Sequence, residues 1–239
     1  MRRSIRNNVL SILLTVVAVA PPAKGWSFGF NPWTTMTGEK TLAINPFIYL
    51  PISPAVGLST DLVAWYGFSP KVDIAINLSS ITILSPAAWG GFWVMPRYEF
   101  APNNIVGLSL GYTGSAFLVK PEYDMVIYPE KGILAFEGNL RVPITVGAPT
   151  GATLGLEAYL VPVLQFAKSK FAFFVEVNPM IKILPAVSFD LPINPGIWFA
   201  FDEAKHQFSL AFTGIALSGG SFGVSPGLGL SYYTTVAFK

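Results

Sequence analysis

Fourteen charged side chains sit inside apolar, strand-like stretches of this sequence, and every one shares the parity of its polar neighbours. They are Asp61, Lys71, Asp73, Arg97, Glu99, Lys120, Glu122, Asp124, Glu137, Arg141, Glu157, Lys170, Glu176 and Lys182. Carboxylates and cations so placed could serve acid–base catalysis, hold a cation, or line an aqueous path. Catalysis finds little support. The lone histidine, His206, falls in an expected turn beside Lys205, whereas a triad needs a base within reach of a nucleophile and oriented by a third group. With no cysteine, thiolate nucleophiles and thiolate metal sites are excluded. A single histidine also leaves a transition metal short of ligands. Glu122 and Asp124 could offer oxygens to calcium, but alternate carboxylates on one strand are weak grounds for a site. No catalytic residue, metal or cofactor is therefore expected. The eight acidic and six basic side chains read best as a set lining an interior, where they can pair with one another or tune the passage of ions.

The elements that position them follow from a period of two. In the run Lys71-Val72-Asp73-Ile74-Ala75-Ile76-Asn77-Leu78-Ser79, even positions are apolar and odd ones charged, polar or small. Such alternation makes a strand with two unlike faces. Hydrophobic residues make up 52% of the chain and charged residues 12%, about half the charge of an ordinary soluble domain. Past the N-terminus no segment offers ~18 uninterrupted apolar residues, and 22 Gly and 20 Pro are spread throughout. Apolar strands in lipid must close on themselves, because open edges cannot be hydrated there. The expectation is an all-β fold: a closed antiparallel transmembrane β-barrel with a polar interior. A soluble barrel would reverse the pattern, charging its outside.

Twelve strands are expected, at 40–50, 55–68, 71–83, 87–100, 105–113, 118–128, 133–145, 152–167, 170–183, 193–201, 207–217 and 224–238. Reading 118–128 as a loop gives eleven, but Lys120, Glu122 and Asp124 alternate there with Val119, Pro121, Tyr123 and Met125. Short turns at one end would carry Tyr66, Phe68, Tyr98, Phe100, Phe166, Phe171, Phe199, Phe201, Phe208 and Phe238 as an aromatic girdle. The opposite connections, including 184–192 and 218–222, are barely longer. Pro46, Pro96, Pro143, Pro162 and Pro179 fall within strands and imply bulges or bends. Inside, the expected ion pairs are Asp61 with Lys71, Asp73 with Arg97, Glu137 or Arg141 with Glu157, and Glu176 with Lys182. Trp89, Trp93, Met95, Tyr159, Phe174 and Trp198 are expected to point inward, facing a wall of Gly and Ser. They could fill that space or border an apolar slot.

The chain ends Leu228-Gly229-Leu230-Ser231-Tyr232-Tyr233-Thr234-Thr235-Val236-Ala237-Phe238-Lys239. This resembles the closing strand of Gram-negative outer-membrane barrels, which ends on an aromatic that assembly machinery recognises; here Lys239 follows it. The resemblance is to a broad porin-like class. It implies an outer-membrane location and contact with outer-membrane lipids and barrel-assembly machinery. From the interior residues, the expectation is a narrow channel for passive diffusion of small solutes or ions, with Arg97, Glu99, Lys120, Glu122, Glu137 and Arg141 around a constriction with Trp93; the alternative is an occluded structural barrel with a salt-bridged lumen. Residues 1–25 read as a signal peptide, with Arg2, Arg3 and Arg6 before the apolar run Val9 to Ala20. Its removal, with Lys24, leaves 11 basic residues against 13 acidic ones, which gives no basis for binding nucleic acid. Residues 26–39 form an aromatic segment, a lumen plug or an interface anchor, ahead of the barrel at 40–239. The sequence is silent on oligomeric state.

Overall fold

The computed structural model describes residues 35–52, 57–84, 88–127, 134–149, 151–165, 171–201 and 205–238. The chain is all-β. Its strands are β1 (Thr41–Pro51), β2 (Leu58–Ser69), β3 (Val72–Leu84), β4 (Ala88–Trp89), β5 (Phe92–Ala101), β6 (Asn104–Tyr112), β7 (Phe117–Ile127), β8 (Leu134–Arg141), β9 (Ile144–Val146), β10 (Thr153–Gln165), β11 (Phe171–Val177), β12 (Met180–Leu184), β13 (Ser188–Phe201), β14 (His206–Ser218) and β15 (Ser221–Ala237). Every pairing is antiparallel. β1 joins β15 from Thr41↔Ala237 to Pro51↔Gly227, so the sheet closes. Three staves of this barrel are split in two: β4 and β5 at Gly90 and Gly91, β8 and β9 at Val142 and Pro143, β11 and β12 at Asn178 and Pro179. The ring therefore has twelve staves, as the sequence pattern predicts.

Two strands begin earlier than expected, and Trp89 faces the other way. β13 begins at Ser188 instead of 193, and β15 at Ser221 instead of 224. The connections expected at 184–192 and 218–222 shrink to residues 185–187 and to Gly219 and Gly220. Pro192 and Pro195 lie within β13, where pairing with β14 slips between Ile193 and Gly196. Trp89 faces outward, not into the lumen: it stacks on Phe92 and tilts over Tyr112. The break at Gly90 and Gly91 reverses parity between β4 and β5. Gly91 has φ of +100°, and a Cβ there would lie 1.7 Å from the Tyr112 carbonyl oxygen, so no other residue fits the kink.

Prolines sit where the ladder lapses, because proline has no N–H to donate. Pro46 pairs with Leu62 on β2, but β1–β15 partners skip from Ile44 to Phe47. Pro162 pairs with Phe136 on β8, while β10–β11 partners skip from Leu160 to Val163. Pro143 and Pro179 stand at two of the three breaks.

The two faces separate as the alternation requires. On β6, Val106, Leu108 and Leu110 are 42%, 39% and 48% exposed, whereas Ile105 and Ser109 are 1% and 0%. Rings gather at both rims of the outer face. At the end where β1 begins and β15 finishes (the terminal end), Tyr66 packs on Phe68, Phe100 on Tyr123 and Phe199 on Phe208. At the far end Trp89, Phe92, Tyr112 and Phe117 form a second cluster that the expected inward Trp89 conceals from a sequence reading. Phe166 lies outside the described residues. An apolar band between two aromatic belts is the outer surface of a membrane barrel. Replacing Leu108 by Arg should destabilise the barrel in lipid vesicles by about 2–4 kcal/mol, measured by urea unfolding.

Candidate functional site: the charged lumen

Register places five of the interior charges in a single row. Successive cross-strand partners run Asp73↔Arg97, Arg97↔Gly107, Gly107↔Glu122, Glu122↔Arg141 and Arg141↔Glu157. Charge alternates along this row, with one glycine interposed. Asp73 lies at the start of β3, by the terminal end; Glu157 lies early in β10, by the far end. A sheared barrel tilts its pairing rows against its axis, so the row climbs the inner wall from one end to the other.

Each member is held by geometry suited to its charge. Arg97 grips Asp73 with two parallel bonds, Nε to Oδ1 and Nη2 to Oδ2, both 2.7 Å. Such a fork fits a carboxylate in shape and charge. The stretch leading into β1 reaches the same pair: Thr37 donates to Asp73 Oδ2 from its N–H and its hydroxyl, each at 3.0 Å, and Arg97 Nη2 donates to the Thr35 carbonyl at 3.0 Å. Farther along, Glu122 is shared. Lys120 Nζ stands 2.8 Å from its Oε1 and Arg141 Nε 3.2 Å from its Oε2, while Ser109 donates to Oε1 at 3.0 Å. Both cations also lie over rings, Lys120 above Trp93 at 5.5 Å and Arg141 above Tyr159 at 4.3 Å. Asp124 accepts a bond from Asn139, and Glu137 is buried nearby at 1% exposure. On β11, beside β10, Glu176 Oε1 accepts from Asn178 at 2.9 Å and Asn194 at 3.0 Å.

Of the expected pairs, Asp73 with Arg97 forms, and Arg141 faces Glu157 in register. Two do not form. Lys71 sits exposed in the β2–β3 turn, and Asp61 stands opposite Ser80 on β3, bonded to Asn77 instead. Lys71 lies in the hairpin turn next to the last pair, Ser69↔Val72, whereas Asp61 lies well up β2, so hairpin pairing keeps the two apart. Lys182 follows the break at Pro179 and is exposed toward the far rim, while Glu176 takes the two amides named above. Glu99 caps the Asn103 N–H at 2.8 Å, at the terminal rim. Lys170 lies outside the described residues, as does most of 26–39. His206 is not in a turn: it opens β14, stacks between Phe201 and Tyr232, and its Nδ1 lies 2.7 Å from the Tyr232 hydroxyl. That places it in the aromatic belt.

A charge count misses the neutral polar residues of the same parity. Asn45 Nδ2, Asn77 Oδ1, Asp124 Oδ2, Asn139 Oδ1, Asn178 Oδ1 and Thr213 Oγ1 are buried with no hydrogen-bond partner among the described residues. A polar atom so placed costs free energy unless water or a solute meets it. Two apolar groups fill other parts of the interior. One joins Val161, Val163, Phe174 and Trp198; the other joins Val63, Trp65, Met95 and Tyr233, with Trp93 against it. Beyond them, toward the far rim, lie cavities of about 390 Å³ and about 310 Å³.

No family model matches the chain, and no curated protein matches it. Among solved structures, one described as "CymD monoaromatic hydrocarbon channel" is similar, with a TM-score of 0.48 and 10% sequence identity over 94% of this chain and 99% of that one. So distant a likeness carries no argument; the barrel rests on its own strand pairing.

Replacing Arg97 by Met strands the Asp73 carboxylate and should cost about 3–5 kcal/mol in urea unfolding. Adding Asp73→Asn should recover part of that loss, a non-additivity that marks a true pair.

Proposed function

We propose that this chain is a narrow channel in the outer membrane of a Gram-negative bacterium, through which small solutes or ions diffuse down their gradients. The supporting observation is the charged row with its unpartnered polar neighbours, which leads from the terminal end to the cavities at the far rim. Groups of that kind, spaced closely along one wall, let a hydrated solute exchange water for protein contacts step by step. Alternating sign keeps any one step from binding too tightly. Export by the segment 1–25, assembly by the barrel machinery and residence among outer-membrane lipids belong to the same reading, which ascribes no catalytic step to the chain.

A second reading, a structural barrel with an occluded lumen, is favoured by the two apolar groups around Trp198 and Trp65. Planar-bilayer recording separates the two. Refolded protein should give discrete conductance steps. Glu122→Gln removes the carboxylate between Lys120 and Arg141 and should shift selectivity toward anions; Trp65→Ala should raise single-channel conductance. A folded barrel that conducts in none of these forms would sink the channel reading in favour of the occluded one.

A further inference from the structure

The chain enters β1 from within the barrel. Gly38 and Lys40 take left-handed φ of +90° and +52°, which folds the chain back on itself just ahead of Thr41. Lys40 fixes this reversal between two staves. Its N–H donates to the Gly67 carbonyl on β2, and its carbonyl accepts from the Phe238 N–H after β15, both at 2.8 Å.

Residues 35–38 follow one pairing row. Gly67, Asp73 and Arg97 are successive cross-strand partners on β2, β3 and β5, so all three share the lumen face. The segment meets them in order. A Cβ on Gly67 would lie 1.6 Å from the Gly38 carbonyl oxygen. Gly67 therefore serves by lacking a side chain, which lets a second backbone lie against β2. Thr37 reaches Asp73 through its N–H and its hydroxyl, and the Thr35 carbonyl accepts from Arg97.

This row continues into the charged one described above, so the segment covers its beginning at the terminal end. Asp73 and Arg97 are 1% and 2% exposed. A solute arriving from the terminal side does not touch them while the segment is seated. The hold is nonetheless modest. Lifting residues 35–37 breaks three hydrogen bonds, while Asp73 keeps its two-bond fork to Arg97. No buried charge loses its partner, which is the costly event in splitting an ion pair. The wall keeps its electrostatic pairing whether the segment is seated or lifted.

We propose that residues 35–38 are a strap that closes the terminal mouth of the lumen and opens it by lifting off Gly67, Asp73 and Arg97. The inference deepens the channel reading and rests on it for what passes the mouth. Its first test does not depend on conduction. The chain has no cysteine, so Met36→Cys places a single thiol on the strap, between Thr35 and Thr37. Refolded full-length protein in detergent is treated with a charged, water-soluble methanethiosulfonate reagent. Gly67→Ala puts a methyl group where the Gly38 carbonyl lies. Thr37→Pro removes both donors to Asp73 without touching a stave. Each should speed thiol modification about tenfold or more, as loss of two or more hydrogen bonds holding a local opening predicts. The same two substitutions in the cysteine-free chain should raise single-channel conductance in planar bilayers, with the strand circular-dichroism signal intact. Unchanged modification rates in both variants would overturn the proposal, as would faster modification with conductance left at the level of the unsubstituted channel. Faster modification in barrels that conduct in no form, the unsubstituted chain included, would keep the strap's seat and retire the channel.

Discussion

The backbone's need for partners in hydrocarbon governs this molecule. Each strand N–H and C=O that faces lipid must be met within the protein. The chain meets the demand by pairing β1 with β15 and leaving no edge. Closure fixes two faces, and the period of two then sorts the described strand side chains between them. Ion pairs, belts and cavities are consequences of that sorting.

Closure also shapes the interior. Twelve staves enclose more space than eight but less than a wide porin. Part of the space goes to interlocked side chains such as Phe174 with Trp198 and Trp65 with Tyr233. The remainder follows the charged row, where Glu122 serves two cations and Asp73 is gripped by one. Buried charges on one wall are tolerable because neighbours of opposite sign lie one strand away. Shear turns what would be a belt of charge into an inclined path.

Much of this is legible in the sequence, and the reasons differ by feature. Strand number and facing follow from alternation, which survives even across breaks: Glu176 and Met180 keep the same parity through Asn178 and Pro179. Pairing partners are less legible. Asp61 meets Asn77 and not Lys71 because Lys71 belongs to the hairpin turn, which alternation alone does not separate from the strand, and pairing outward from that turn brings Ser80 opposite Asp61. Trp89 misleads because a glycine pair reverses parity within one stave. The extended start of β13 is hidden by its prolines, which read as loop but sit at a ladder lapse. The cavity of about 390 Å³ is not foreseeable from charge alone, since its polar side needs residues of β11, β13 and β14 brought together by folding.

The central claim is that oily side chains meet lipid while polar ones are turned inward along every stave. Because the chain has no cysteine, single nitroxide labels can be placed at positions 105 to 110 of β6 without background. In lipid vesicles, oxygen collision rates measured by electron paramagnetic resonance should peak at 106, 108 and 110 and fall at 105, 107 and 109. A flat profile, or one with the opposite phase, would contradict the account.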